Sequence, residues 1–297
     1  MKRRRMVQGV VTAIGTPLGP REELHEAGMR RQVRLQLEAG VDALLVLGSM
    51  GAMQMLPDET CRAALRVAVD EAAGRVPVLA GCGDTGTERT RTRIRWAEET
   101  TADAVVLVPP YFFRFTPAEL LYHFESLAGD TDLPVYLYDN PYFTQHDLGF
   151  DLIVQLARVR NIVGLKASGD FDTLRRAAEH FAGTDFSVLS GHSTLFDVAL
   201  GLGARGIVDG LFGAAPEIGV EIWRAMQSGD GRGAARAQQR LQRFAAVVSV
   251  DSIFGGFTAA MNLRGVPGNF APRPFTPITP QGRRRVRKIL NDLNFLR

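Results

Sequence analysis

Lysine is rare in this chain, and one of its three lysines follows an apolar run. Lys2 and Lys288 lie in arginine-rich segments, which we expect to be solvated. Lys166 instead ends a short apolar run just before Gly169. An ammonium group carried into apolar surroundings loses hydration, which favours the neutral, nucleophilic amine. Such an amine condenses with a carbonyl to form a Schiff base. Alternatively, the stem of Lys166 lies along apolar surface while its charged end stays in water.

Two other apolar runs also end in groups that could act on a substrate. The turn Gly48-Ser49-Met50-Gly51 can present two backbone N–H groups and a hydroxyl to an anion such as a carboxylate. Gly-Ser turns are nevertheless common without any such role. Tyr138 ends another run, and its phenol could transfer protons while a Schiff base forms. It could equally cap the apolar core with its hydroxyl hydrogen-bonded.

These groups fall at the ends of short β-branched runs that alternate with longer stretches of helical period. The predicted strands are Val7–Ile14, Val41–Leu47, Val76–Ala80, Ala104–Val108, Val135–Tyr138, Ile162–Leu165, Phe186–Leu189 and Gly206–Val208. The predicted helices are Ala27–Ala39, Asp58–Ala73, Thr87–Thr100, Pro117–Ala128, Asp147–Val159, Phe171–Phe181, Leu195–Leu202 and Pro216–Gln227. Eight such pairs without a composition break predict an α/β fold, a (β/α)8 TIM barrel, rather than an open doubly wound sheet.

After Gln227 the pattern becomes purely helical. The predicted helices there are Gly231–Val250, Ser252–Asn262 and Gly282–Leu293, and the linker Gly265–Pro280 is rich in Pro and Gly. We therefore expect a barrel domain at residues 1–228 and a C-terminal helical extension, residues 229–297, packed on the barrel. Catalytic residues of such barrels lie at the C-terminal ends of the strands, which is where Ser49, Tyr138 and Lys166 fall.

Charge and motif spacing argue against several classes of function. The net charge of +3 does not favour nucleic acid as a partner. Cys61 and Cys82 lack CxxC spacing and the five histidines lack metal-ligand spacing, so we expect no metal. No apolar run approaches the length of a membrane span, and the basic leader Met1–Arg5 precedes no clean apolar segment, so we expect a cytoplasmic protein without a membrane partner. Gly201–Gly206 matches a dinucleotide pattern but follows a helix and precedes a strand, the reverse of the required context.

Five short motifs, taken together on successive strand ends, carry a resemblance. They are Gly48-Ser49-x-Gly51, Pro109-Pro110-Tyr111, Leu137-Tyr138 with Pro141, Gly164-Leu165-Lys166 and Gly206-Ile207-Val208. In their order and spacing the chain resembles the dihydrodipicolinate synthase / N-acetylneuraminate lyase family of class I aldolases, over essentially its whole length. The resemblance implies a Schiff-base lyase without a cofactor, whose small-molecule substrate is pyruvate or another 2-keto acid. It also implies a homo-oligomer, a dimer or a homotetramer.

The resemblance assigns a role to each motif. Lys166 would form the Schiff base, and Tyr138 would transfer protons. Ser49, the backbone N–H of Met50 and the preceding Gly48 would hold the carboxylate of the keto acid. The backbone around Ile207 would flank the pyruvyl group.

The chain also departs from the synthase branch of this family. Met50 stands where that branch usually has Thr, Ala52 where it has Glu, and Phe112 where it has the second Tyr of a Pro-Tyr-Tyr pattern. Phe143 occupies the position of an arginine that binds the second carboxylate of that branch's substrate. Losing a guanidinium at a carboxylate site is not a conservative change. We expect Phe112 and Phe143 to contact the substrate and to make its distal pocket more apolar.

These departures favour a lyase, either an aldolase or a dehydratase, that acts on a 2-keto-3-deoxy sugar acid or a related pyruvate-derived 2-keto acid. Asp139, Asn140 and Gln145 would supply hydrogen bonds to substrate hydroxyls. Two alternatives stay open. One is a condensation of the dihydrodipicolinate synthase type, and the other is a keto-acid-binding barrel that has lost turnover.

Overall fold

Eight parallel strands close into a barrel in which each strand pairs with its neighbours along the chain. The computed structural model describes residues 6–296, so the basic leader with Lys2, and Arg297, lie outside the described residues. The strands are β1 Gly9–Ala13, β2 Ala43–Val46, β3 Val78–Gly81, β4 Ala104–Leu107, β5 Val135–Asp139, β6 Ile162–Ala167, β7 Ser187–Ser190 and β8 Gly206–Asp209. The predicted (β/α)8 barrel is confirmed.

Helices follow the strands and cover the outside of the barrel. They are α1 Glu26–Ala39, α2 Asp58–Ala72, α3 Thr87–Glu99, α4 Pro117–Gly129, α5 Pro141–Thr144, α6 Gly149–Leu156, α7 Phe171–His180, α8 Phe196–Gly201, α9 Pro216–Gln227, α10 Gly231–Ala245, α11 Ile253–Leu263 and α12 Pro280–Asp292. Sequence signals mark where several helices begin. Thr116 forms a capping box with Glu119 at the start of α4, and Thr279 caps the start of α12. The one-turn helix α5 was not predicted, because a single turn has too few residues to show a helical period.

The strand register assigns each side chain to the inside or the outside of the barrel. Lys166 pairs with Tyr138 on β5 and with Leu189 on β7, so these three side chains share the inner face. Tyr136, two residues before Tyr138, also faces inward. Its phenol accepts a hydrogen bond from the Val7 N–H at 3.1 Å, and the Ser187 hydroxyl donates to the Val7 carbonyl at 2.6 Å. The N-terminal end of the barrel is thereby filled, and the open end is the one that carries Lys166.

The helices after α9 pack back onto the barrel. Phe257 of α11 and Phe270 contact each other edge to face, and a Cβ added at Gly15 would lie within 2.8 Å of both rings. Arg264 forms an ion pair with Glu217 of α9. These contacts support the proposal that the segment beyond Ser228 is an extension of the barrel. Among residues 6–296 no single helix has the length and hydropathy of a membrane span. Two consecutive helical segments separated by a sharp bend, Gly231–Ser249 and Ile253–Leu263, reach that length and hydropathy only when they are taken together.

Candidate active site

Lys166 and Tyr138 meet at the open end of the barrel. Each lies at the C-terminal end of its strand and is 5% exposed. The Lys166 Nζ lies 3.8 Å from the centre of the Tyr138 ring. The two residues predicted to form a Schiff base and to transfer protons are therefore adjacent and largely shielded from water.

Asn140, Ser49 and Lys166 surround the Tyr138 phenol oxygen. Asn140 Nδ2 donates a hydrogen bond to it at 2.7 Å, and Ser49 Oγ lies 3.2 Å away. Burial alone would raise the phenol's pKa, but the charge of Lys166 and hydrogen bonds from Ser49, Lys166 and Asn140 outweigh it, so the pKa is lowered. A phenol of this kind gives up its proton more readily than an ordinary tyrosine, which suits proton transfer beside an amine.

Ser49 and Met50 lie in a turn that two buried groups hold in place. β2 ends at Val46, and the chain then turns through Leu47, which has a positive φ of 60°. Thr16 Oγ1 donates to the Gly51 carbonyl at 2.7 Å. Arg93 Nη1 donates to the Met53 carbonyl at 3.2 Å. The turn that carries the predicted carboxylate-binding groups is therefore fixed before any ligand arrives.

Further contacts connect the Ser49 turn to the segments that follow β3 and β8. Arg93 forms a buried ion pair with Asp84, which follows β3, at 3.0 Å. A Cβ added at Gly210, after β8, would lie 2.8 Å from the Met50 Cε, so the Met50 side chain packs where only glycine fits. Neither Thr16 nor Arg93 was predicted as part of the site. Nothing in the local sequence could have indicated them, because both act through tertiary contacts with backbone carbonyls.

The register places Ile207 on the outside of the barrel. Ile207 pairs with Ser190, whereas Leu189, one residue earlier, shares the inner face with Lys166. The next residue, Val208, therefore faces the interior. The Ile207 side chain is fully buried beneath the helices. Only its backbone could flank a pyruvyl group.

Phe112 and Phe143 lie at the rim and not in the buried cluster, on the neighbouring β4–α4 and β5–α6 loops, the second of which contains α5. They are 77% and 57% exposed, and each ring makes an edge-to-face contact with its sequence neighbour. His146 joins the two loops, since its Nε2 accepts from the Phe115 N–H at 2.7 Å and its ring stacks on Phe115. Phe112 also has a positive φ of 92°, a strained conformation for a bulky residue. The predicted apolar residues form an exposed aromatic rim.

The polar residues expected to bind substrate hydroxyls are mostly committed elsewhere. Asn140 binds the Tyr138 phenol. The Asp139 carboxylate is fully buried, and its Oδ1 accepts from the Leu148 N–H at 3.1 Å. Because Asp139 pairs with Ala167 and not with Lys166, its side chain lies outside the barrel. Only Gln145 is exposed among the three.

Asp139 predicts an unusual dependence of stability on pH. Its Oδ2 is buried without a hydrogen-bond partner, and burial, together with the charges of Asp147 and Asp170, raises its pKa to about 6. Its contribution to stability is fully present below the ordinary value near 4 and is lost as the pH rises through about 6. We expect Asp139→Asn to raise the free energy of unfolding by about 1 to 2 kcal/mol at pH 8, and to have little effect near pH 4. Urea unfolding at both pH values measures this.

The matched control for this prediction is Asp132→Asn, at an exposed aspartate paired with Arg160. We expect it to leave the difference between the two pH values unchanged. Equal stability of Asp139→Asn and the parent protein at pH 8 would contradict the assignment of a buried charge.

Within the described residues there is neither a cluster of metal ligands nor a cysteine thiol with a lowered pKa. Residues 6–296 contain no group of three or more His, Cys, Asp or Glu side chains that could hold a metal ion. Cys61 and Cys82 are free and buried, and burial raises the pKa of both thiols, that of Cys61 to about 11. Among the described residues, the buried contact between Lys166 and Tyr138 remains the arrangement predicted to react.

A family model decides the relationship of the chain to known proteins. The model of the dihydrodipicolinate synthetase family matches residues 6–293. The chain belongs to this family. Members of the family are carbon–carbon lyases of the class I aldolase type, which confirms the predicted resemblance and enzyme class.

Individual members of the dihydrodipicolinate synthetase family match along nearly their full length. The 4-hydroxy-tetrahydrodipicolinate synthase of Methanothermobacter thermautotrophicus is 30% identical over 276 residues, which cover 91% of this chain and 98% of that protein. The structure of YagE, a prophage protein of this family from E. coli K12 in complex with pyruvate, is 29% identical, with a TM-score of 0.90 and coverage of 98% and 100%. A monomeric dihydrodipicolinate synthase variant is 29% identical, with a TM-score of 0.92 and coverage of 98% of both chains.

Proposed function

We propose that the protein forms a Schiff base between Lys166 and the C2 carbonyl of pyruvate or a pyruvate-derived 2-keto acid. The observation that carries this proposal is the buried contact between Lys166 Nζ and Tyr138. The amine adds to the carbonyl carbon, and loss of water gives an iminium group that withdraws electrons from the neighbouring carbon. Tyr138 moves the protons that these steps require.

The turn at Ser49 provides the group that orients the keto acid. Its hydroxyl and the Met50 N–H would hold the carboxylate, so that the carbonyl carbon faces the amine. Fixation of this turn by Thr16 and Arg93 supports this role, because an oriented site loses little entropy on binding.

The aromatic rim favours a substrate whose distal half carries no second carboxylate. Phe143 stands in the one-turn helix α5, where the synthase branch is expected to have arginine. We propose an aldolase or dehydratase acting on a 2-keto-3-deoxy sugar acid or a related 2-keto acid. Asp139 and Asn140 already form hydrogen bonds within the protein, so they are less available to bind substrate hydroxyls. This favours the less polar of these substrates.

A second candidate is condensation of the 4-hydroxy-tetrahydrodipicolinate synthase type. The names of the matching relatives support it more directly than they support cleavage of a sugar acid. The third reading, a barrel that binds keto acids without turnover, has less support, because Lys166, Tyr138 and Ser49 lie together as catalysis requires.

Borohydride reduction in the presence of pyruvate tests the Schiff base. We expect intact-mass and peptide analysis to find a stable adduct on Lys166. No adduct at a large excess of pyruvate would refute the proposed chemistry. With the adduct established, paired aldehydes that differ only in a second carboxylate would distinguish the two candidate reactions.

Phe143→Arg tests the distal half of the site. A guanidinium at this position should bind a second carboxylate, so we expect kcat/KM for the carboxylated aldehyde to rise about tenfold relative to its uncharged counterpart. The matched control is Tyr142→Arg, at an exposed neighbour in the same helical turn, which should change this ratio little. A parent enzyme that already prefers the carboxylated aldehyde would favour the synthase-type reaction instead.

We also propose that the chain forms a homo-oligomer. Phe112, Phe113 and Tyr122 expose large aromatic surfaces on one loop and the helix that follows it, which is typical of surfaces that contact protein. One similar structure is described as a monomeric variant, so family membership alone does not determine assembly.

A further inference from the structure

Asn140 makes a short contact with the proposed catalytic phenol. It directly follows β5 and is 6% exposed. Its Nδ2 lies 2.7 Å from the Tyr138 oxygen, closer than the Ser49 hydroxyl at 3.2 Å. Because an amide NH2 group can only donate, this hydrogen bond is stronger when the phenol oxygen carries negative charge.

Hydrogen bonds from the helical turn that follows Asn140 hold its backbone in place. The Asn140 carbonyl accepts hydrogen bonds from the Thr144 N–H at 3.1 Å and the Thr144 hydroxyl at 3.0 Å. Pro141 begins the helical turn α5 directly after it. These bonds fix the backbone from which the Asn140 side chain projects, and the residue is buried, so little room is left for the amide to rotate away from the phenol.

The rest of the site explains what such a donor could do. The charged group that faces the phenol is Lys166 on β6, and Asp209 at the end of β8 interacts electrostatically with Lys166. The second phenol expected in the synthase branch is replaced by Phe112, which lies exposed at the rim. A phenolate at Tyr138 is therefore supported by Lys166, Ser49 and Asn140 within this chain.

We propose that Asn140 is a positioning residue that stabilises Tyr138 as the phenolate base of the reaction. The inference rests on the proposed Schiff base. In the step it serves, the C3–H bond of the pyruvyl iminium breaks and its proton passes to the phenolate oxygen. The electron pair of that bond forms the C2=C3 double bond, and the C=N π pair returns to the Lys166 nitrogen, giving a neutral enamine.

A spectroscopic titration tests the inference without relying on turnover. Tyrosinate absorbance of the protein, minus that of a Tyr138→Phe variant, follows the ionisation of Tyr138 alone. We expect Asn140→Leu, which removes the donor, to raise the pKa of Tyr138 by about one unit or more. Asn140→Asp, which replaces the donor with a carboxylate of the same shape, should raise it further. An unchanged or lowered value in Asn140→Asp would overturn the proposal.

Exchange of the pyruvate methyl protons with deuterated solvent gives a second readout. The rate rises with pH as the phenol ionises, so we expect this rising limb of the pH profile to shift to higher pH in Asn140→Leu, together with the phenol titration, and the rate near neutral pH to fall about tenfold. An equal loss of rate at every pH would indicate a structural role and would overturn the proposal.

Two controls separate this inference from stability and from the proposed function. Asn161→Ala removes another buried amide, which donates to the carbonyls of Ala128 and Thr131. It should lower stability and leave the Tyr138 titration unchanged. If pyruvate gives no borohydride adduct with the parent protein, the Schiff-base proposal fails, while the titration still decides whether Asn140 supports the phenolate.

Discussion

Lys166→Ala is expected to abolish turnover and the pyruvate adduct while the barrel stays folded. The substitution removes the only atom proposed to bond covalently with the substrate, and with it the iminium that accepts electrons. We expect kcat/KM to fall by at least about 10⁴-fold. The fold should survive because Lys166 lies at the open end of the barrel, beyond the inner layer that contains Tyr136. Turnover, borohydride trapping and thermal unfolding of one preparation measure all three effects.

The chain provides a matched control in Lys288. This lysine is exposed on α12 and pairs with Asp292 at 2.6 Å. Lys288→Ala should keep both turnover and the adduct. Turnover of Lys166→Ala near that of the parent protein would show that catalysis does not pass through this amine.

Tyr138→Phe is expected to produce the second large effect. Loss of the phenol removes a proton donor and acceptor that lies next to the amine, and a well-placed general acid–base contributes about 10²- to 10⁴-fold. We expect kcat to fall by that factor. The adduct should still accumulate slowly, because Lys166 remains able to bond with the carbonyl. Trapping over a time course measures the rate at which the adduct forms and its final yield separately. It therefore distinguishes slower formation of the adduct from loss of the adduct.

Tyr136→Phe is the matched control for this experiment. Tyr136 lies on the same strand and the same inner face, two residues before Tyr138, and its phenol accepts from the Val7 N–H. Its loss should lower stability by about 1 kcal/mol and leave kcat nearly unchanged. Similar kcat losses in the two variants would show that the effect of Tyr138→Phe comes from packing.

The sequence predicted the fold because the alternation of short apolar runs and helical stretches continues without a break from the first strand to the eighth. It also predicted that Lys166, Tyr138 and Ser49 would lie close together, since the C-terminal ends of all strands meet at one end of a barrel. These predictions needed only the order of elements.

Other features depended on contacts that the sequence does not show. Both faces of a barrel strand are apolar, so the pattern of Ile207 and Val208 could not indicate which side chain faces inward. Asn140 looked available for substrate, but its amide turns back onto Tyr138. Thr16 and Arg93 bind backbone carbonyls of the Ser49 turn from distant elements, so only the tertiary structure brings them there.

The filled N-terminal end of the barrel has a kinetic consequence. Tyr136 and Ser187 bind both backbone groups of Val7 and close that end within residues 6–296, which leaves the rim where Phe112 and Phe143 stand as the entrance for ligands in this part of the chain. The keto-acid half, bonded to Lys166, would occupy the inner part of this dead-end passage. In a cleavage reaction the aldehyde half would therefore depart first and pyruvate second. In the reverse direction pyruvate would have to bind before its partner, which makes the order of binding a property of the barrel's shape.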